Sequence, residues 1–302
     1  MNIASIDIGT NTLLLLVAET KNNQINRIIT DEHKIARLGE GLDKNGYISD
    51  NAISRATTIL ENYKSILKEY NVSKVLISAT SAMRDANNGN EVKDKLESVI
   101  EYPINIIEGL EEAKISFMGS VEREDSTNDI VLDIGGGSTE VILGNRNKIL
   151  KSSSLQIGAV RLTERYFPDF ESKTENYNEA TEFIKNELSK LGSLNCEGDM
   201  IAVAGTPTTI AAIDLRLPQY NAHLIHNHRI QKDRLKEIVE IFKKESKQEL
   251  IEKYNVHSNR ADVILGGAVI LIEFLNYINK DEFIVSCKGL RYGLLKELIK
   301  NN

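Results

Sequence analysis

The stretch Ser5–Val17 reads SIDIGTNTLLLLV, and Ile130–Gly144 reads IVLDIGGGSTEVILG. Each places Asp-Ile-Gly and small hydroxyl residues between two apolar runs. An aspartate that ends a strand, followed by a glycine turn, sets a carboxylate beside backbone N–H groups that no side chain covers. Gly9, Thr10, Asn11 and Thr12 in the first copy, and Gly135, Gly136, Gly137, Ser138 and Thr139 in the second, have the chemistry of a phosphate cradle. Asp7 and Asp133 face the same space as those turns and suit a hard cation such as Mg2+. One copy alone reads as an ordinary hairpin turn. The pair, each with its strand-end aspartate, reads as a duplicated unit with one loop per domain and one phosphate site between the two. A third glycine turn lies in Ile201–Ile213, IAVAGTPTTIAAI. There Gly205 follows an apolar strand, Thr206 is placed to cap a helix, and Pro207 suits its first position. The free N–H groups at such a helix start attract an anion, although a well-capped structural helix is an equal reading of this segment alone.

Short β-branched runs alternate with helical patterns, so the elements that position these turns are those of an α/β protein. Asn2–Asp7, Thr12–Glu19 and Asn26–Thr30 read as three successive strands. Asn51–Tyr70 reads as a helix, Val75–Ser78 as a strand, Asn90–Ile100 as a helix, Ile104–Ile107 as a strand and Leu110–Gly119 as a helix. The polar stretch Glu122–Asn128 (EREDSTN) is the best candidate for a domain crossing. The theme then restarts with strands at Ile130–Ile134, Ser138–Leu143 and Lys148–Ser154, and later a strand at Met200–Ala204. Asp233 is a plausible cap for the helix 233–244, and 261–278 is a long, largely apolar helix whose Gly266 and Gly267 permit close packing. This order, repeated, is that of a ribonuclease-H-like unit, two of which face each other in the actin, hexokinase and chaperone ATPase group. The expectation is 1–122 plus 291–302 as the first domain and 123–290 as the second, with the active cleft between them and the last helix returning to the first.

The chain of 302 residues is long for one core, and 41% hydrophobic with 27% charged residues is ordinary for a globular protein. No apolar run reaches the length of a membrane span, and the start lacks the layout of a signal peptide. Two cysteines, Cys196 and Cys287, suit a reducing cytoplasm, where both read as small core residues. A net charge of −7 argues against nucleic acid or acidic membranes as partners, and requires that an anionic substrate be held locally.

With Ser78–Asn88 SATSAMRDANN, Ile107–Ala113 IEGLEEA and Ser286–Leu294 SCKGLRYGL, these loops resemble the Ppx/GppA family of exopolyphosphatases and guanosine pentaphosphate phosphohydrolases. The resemblance runs from Asp7 to Leu295. It implies that Glu112 is the catalytic base that orients water on the terminal phosphorus. The residues alone do not choose between Glu112 and its neighbours Glu108 and Glu111. It further implies Asp133 and Glu140 as metal-associated carboxylates, with Asp7 as the counterpart of Asp133 and Mg2+ as cofactor. Arg84 corresponds to a phosphate-binding arginine and Arg260 to another active-site arginine; Arg161 and Arg291 are weaker candidates. Two departures stand out: Thr10 replaces a usual serine and keeps the hydroxyl, and Lys114 follows EEA where arginine is common. Long family members carry a further C-terminal HD-type domain, which this sequence lacks together with one expected dimer contact, so a homodimer stays open.

The resemblance implies metal-dependent hydrolysis of the terminal phosphoanhydride of inorganic polyphosphate, of short to medium length, with guanosine pentaphosphate as the alternative substrate. More distant alternatives are a small-molecule kinase of the same superfamily and an actin-like or chaperone-like nucleotide-binding protein. The 6% aromatic content offers no aromatic-rich segment near the phosphate motifs to stack a guanine. The cluster His223, His226 and His228 has no evident fourth ligand and reads as a loop or buried feature rather than a zinc site.

Overall fold

A computed structural model describes residues 1–169 and 173–300. It divides into two compact units: Met1–Gly119 together with the chain's end from Leu290, and Ser120–Gly289. The expected crossings at 122/123 and 290/291 thus compare with divisions at 119/120 and 289/290. Of the expected segment 291–302, residues 301 and 302 lie outside the described residues.

The first unit contains β1 (Asn2–Ile8), β2 (Thr12–Lys21), β3 (Gln24–Ile35), α1 (Leu42–Asn45), α2 (Asp50–Glu69), β4 (Lys74–Ala79), α3 (Ser81–Asp85), α4 (Gly89–Ile100), β5 (Ile104–Ile106) and α5 (Gly109–Ser120). The sheet order is β3-β2-β1-β4-β5; β1 pairs antiparallel with β2 and parallel with β4, and β4 parallel with β5. Period-two alternation sends Ala4, Ile6, Ile8, Leu13, Leu15 and Val17 into one core with Ala56, Leu60 and Tyr63 of α2. Ser49 caps α2 by accepting the Ala52 N–H, and the Tyr63 hydroxyl donates to the Leu13 carbonyl at 2.8 Å. Ile3, Leu16 and Ala18 point to the other face, against Leu295. β3 runs well past the expected Asn26–Thr30, because its pairing with β2 continues through register shifts at Val17/Ala18 and Glu19/Thr20.

The second unit contains β6 (Asp129–Ile134), β7 (Thr139–Asn145), β8 (Lys148–Leu155), α6 (Ala159–Tyr166), α7 (Tyr177–Ser189), β9 (Met200–Val203), α8 (Gly205–Asp214), α9 (Ala222–Ile225), β10 (Arg229–Gln231), α10 (Lys232–Lys244), α11 (Lys247–Tyr254), α12 (Ile264–Tyr277) and β11 (Glu282–Ser286), after which α13 (Leu290–Lys300) belongs to the first unit. Its sheet order is β10-β11-β9-β6-β7-β8, with β6, β9 and β11 parallel. The meander β6-β7-β8 thus repeats β1-β2-β3. The polar segment 122–128 lies inside this unit, where Arg123 bonds Asp199 at 2.6 Å and Glu122 pairs with Lys288.

Every residue of α12 from Ile264 to Leu275 is buried, as its nearly unbroken apolar sequence requires. Gly267 lies so close to α8 that an added Cβ would come within 2.1 Å of the Thr206 hydroxyl. Two expected caps are corrected. Gln231 precedes α10, and Asp233 sits in its first turn paired with Lys236. Ala204 precedes α8, which puts Thr206 and Pro207 two residues deeper than expected. The strand ends at Val203 and the helix begins at Gly205, so a single residue makes the turn, and Ala204 takes φ 79. That conformation strains any side-chain-bearing residue.

Candidate active site

In the first unit the parallel strands β1, β4 and β5 end side by side. Thr80 N–H donates to the Ile8 carbonyl at 3.2 Å and Ile107 N–H to the Ala79 carbonyl at 3.0 Å. The segments after these strands therefore leave from one sheet edge, where α/β proteins bind ligands. The first loop closes with Gly9 N–H on the Thr12 carbonyl at 3.0 Å. The Thr10 carbonyl accepts from Gly39, and the Asn11 carbonyl from Ala36 and Arg37, so both carbonyls are turned towards the end of β3. Among the described residues no acceptor takes the N–H groups of Thr10 and Asn11, which are left for a ligand. The Thr10 hydroxyl meets the hydroxyl of Ser81 at 2.8 Å, both buried.

The three candidate glutamates separate by environment. The Glu108 carbonyl accepts from Glu111 and Glu112 at 2.9 Å each, opening α5. Glu108 and Glu111 are exposed, whereas Glu112 is 8% exposed and its Oε2 lies 3.3 Å from Nη1 of Arg84. The same Nη1 donates to the Ile107 carbonyl at 2.7 Å, while the buried Nη2 of Arg84 has no acceptor among the described residues. An unsatisfied buried donor costs about 1–3 kcal/mol, and more when charged, so this geometry favours an anion there. Arg291 serves the fold instead: Nε and Nη2 each donate to Asp31 at 2.9 Å, and its carbonyl accepts from Ser5.

The second unit repeats the first loop. Gly135 N–H donates to the Ser138 carbonyl at 3.0 Å, matching Gly9 and Thr12. The carbonyls of Gly135 and Gly136 accept from Ala159, Val160 and Arg161 at the start of α6, and the Gly137 carbonyl accepts Nε of Arg161 at 2.9 Å. The loop thus fills the end of α6 with its carbonyls, and the N–H groups of Gly136 and Gly137 have no acceptor among the described residues. Ser138 and Thr139 are buried; the Thr139 hydroxyl donates to the Ile157 carbonyl at 2.6 Å, so it braces the hairpin.

At the end of β9, Arg260 lies across Gly205. A Cβ there would fall 1.6 Å from Nη1 of Arg260, so only glycine admits this approach. Burial pulls Arg260 below the usual arginine value, and no carboxylate pairs with it among the described residues. A desolvated guanidinium at the start of a helix of ten residues adds two positive contributions that favour an anion there.

Asp133 and Glu140 are directly opposed across β6 and β7, and Glu140 is 1% exposed, with Ser154 donating to its Oε1 at 2.8 Å. Two carboxylates on one face of adjacent strands repel each other unless a cation or proton joins them. An all-oxygen pair fits Mg2+, which binds through one or two carboxylates plus substrate phosphates. Asp7 occupies the matching strand end in the first unit, beside Ser78 of β4. Among the described residues no group of three or more metal-ligating side chains is gathered, His223, His226 and His228 included. His228 instead bonds Asp214 at 2.7 Å and His226 bonds Glu122 at 3.3 Å.

Of the predicted residues, the structure brings Thr10 close to the α3 segment and Arg84 to Glu112 in the first unit. In the second it brings Asp133 to Glu140 and Arg260 to Gly205. Ser81 was missed; the signal was a third hydroxyl in SATSAMR at a strand-to-helix junction.

Residues 16–302 match the model of the Ppx/GppA phosphatase family. The chain is 35% identical to a bifunctional 3-dehydroquinate synthase/phosphatase of Fusobacterium nucleatum, over 99% of its own length but 46% of that relative's. It is 32% identical to exopolyphosphatase 2 of Mycobacterium tuberculosis, over 98% of both chains. A solved Ppx/GppA family member from Aquifex aeolicus superposes with a TM-score of 0.84 at 31% identity, covering 100% of this chain and 99% of the other.

Proposed function

Because the chain belongs to the Ppx/GppA phosphatase family, we propose that it is an exopolyphosphatase that hydrolyses the terminal phosphoanhydride of inorganic polyphosphate. The observation that carries this reading is the Arg84–Glu112 pair. It sets the one buried carboxylate of Glu108–Glu112 beside a guanidinium with a donor to spare. Hydrolysis needs a carboxylate to orient water and a cation to hold the phosphoryl oxygens, and this pair supplies both. In this reading Glu112 is the base. The N–H groups of Thr10 and Asn11 in the first unit, and those of Gly136, Gly137, Gly205 and Thr206 in the second, donate to phosphate oxygens, with Arg84 and Arg260 as the cations of their respective units.

Asp133 and Glu140 would hold Mg2+, which when bound neutralises phosphate charge and polarises the P–O bond, and Asp7 is the matching carboxylate of the first unit. The compartment proposed is the cytoplasm, where Cys196 and Cys287 remain the free thiols seen here. No described helix is long and apolar enough to cross a membrane. A homodimer is part of the proposal and is checked by sedimentation.

The test is orthophosphate release from polyphosphates of several lengths, without added acceptor, with and without Mg2+. Release that needs Mg2+ and favours short to medium chains is expected. Phosphate transfer to an added acceptor without release to water would overturn the hydrolase reading. A specificity constant higher for guanosine pentaphosphate would overturn the substrate.

A further inference from the structure

In the buried hydroxyl pair of Thr10 and Ser81 either oxygen can be the donor, and an anion that takes the proton of one of them sets the direction. Thr10 is held on three sides. Its hydroxyl meets Ser81, and its carbonyl accepts from Gly39 at 2.9 Å. Its methyl carbon lies 2.2 Å from where a Cβ on Gly39 would stand, so the methyl fills the space that glycine leaves. The side chain therefore has one rotamer.

Ser81 is equally fixed. It opens α3, whose Met83 and Arg84 N–H groups bond the Thr80 carbonyl, and Gly89 packs against the Met83 carbonyl from the other side. Each hydroxyl has one proton and can accept two bonds. A phosphate oxygen accepts and does not donate. Where one takes the proton of Thr10, the first residue of the loop with a free N–H, the remaining bond runs from Ser81 to Thr10. Serially ordered hydroxyls polarise each other, so the Thr10 donor is strengthened.

We propose that Ser81 is a positioning residue for phosphate binding, acting through Thr10 by donating to it and turning its proton outward. This rests on the phosphohydrolase reading of the same site. Arg84 lies on the same short helix and holds Glu112, so a role through Thr10 and a general loosening of α3 have different signatures. An interaction made equally in the ground and transition states changes KM and spares kcat. Displacement of α3 would move Arg84 and Glu112 and lower kcat.

The test is a double-mutant cycle of Ser81→Ala and Thr10→Val on tripolyphosphate hydrolysis, with thermal melts of each variant. Thr10→Val keeps the methyl shape and removes the hydroxyl. Ser81→Ala is expected to raise KM about tenfold with kcat within about twofold, and to add nothing to KM in the Thr10→Val background. Ser81→Thr, which restores a hydroxyl, is expected to recover part of the loss. A loss in kcat equal to the KM change, or an undiminished effect of Ser81→Ala beside Val at position 10, overturns the proposal. Calorimetric titration of tripolyphosphate into the same four proteins separates it from the hydrolase reading. The same coupling in affinity supports the Ser81 role even if the wild type releases no phosphate. Independent effects, or no binding by the wild type, overturn it.

Discussion

Glu111 and Glu112 differ by one position in the sequence and by environment in the fold: one is exposed, and the other is buried against Arg84. That difference is why the residues alone did not choose between them. A helix start makes any early glutamate reasonable, and burial of one side chain depends on what packs above it. Glu112→Gln keeps the shape and the contact to Arg84 while removing the charge that orients water. Phosphate release is expected to fall at least 100-fold with tripolyphosphate affinity changed no more than a few-fold; turnover within tenfold of wild type would reject the base assignment. Arg260 and Gly205 make a second test. Gly205→Ala must push the guanidinium aside, because its new methyl would stand 1.6 Å from Nη1. A loss of about 10–100-fold in kcat/KM is expected from the misplaced phosphate ligand, with a melting temperature close to that of Arg260→Met. Unchanged kinetics would show that this arginine does not serve the reaction. The sequence made glycine at 205 legible as a turn, but not the arginine across it, since 54 intervening residues separate them and only tertiary packing joins them.

At the scale of elements, the two meanders and their glycine loops were legible because alternation and turn chemistry are local. Gly9–Thr12 and Gly135–Ser138 close with the same bond at the same length. What was not legible is how each end is finished. The single-residue turn at Ala204 follows from the short gap between β9 and α8, and β3 extends because β2 offers it a partner. The docking of α13 depends on a pair distant in sequence, Arg291 with Asp31. Burial works against ionisation of Asp31, but the hydrogen bond from His33 and the charge of Arg291 outweigh it and bring its pKa down to about 2. A carboxylate lowered by folding stabilises the protein above its unfolded value near 4, and that contribution is lost as pH falls from about 4 towards 2. Asp31→Asn is therefore expected to cost about 2–4 kcal/mol at neutral pH, the upper part reflecting the buried Arg291 left without a counter-charge. Urea unfolding at pH 7 and at pH 2.5 measures it. The gap between wild type and variant should narrow at the lower pH; a gap independent of pH would remove the ion pair from the stability of this unit.

For the whole molecule, the duplication and the path of the chain make different demands on the two halves. The second unit is contiguous from Ser120 to Gly289, and its core gathers strands β6, β7, β9 and β11 with α7, α8, α10 and α12. The first unit is completed by the far end of the chain. Leu295 closes the face formed by Ile3, Leu16 and Ala18, while Leu290 and Leu294 pack with Ile107 and Ile115 beside the segment that carries Glu112. Three buried leucines contribute roughly 5–9 kcal/mol by area, which is comparable to the entire stability of a domain. Ser5 also loses the carbonyl of Arg291 as its acceptor if the last helix is removed. A fragment of residues 120–289 is therefore expected to unfold cooperatively by circular dichroism and urea titration, with a midpoint close to that of its transition in the full chain. A fragment of residues 1–119 is expected to show no cooperative transition, and to regain one when a peptide of residues 290–302 is supplied. A cooperative transition in 1–119 alone, at the midpoint of the full chain, would show that the returning helix is not what completes the first unit.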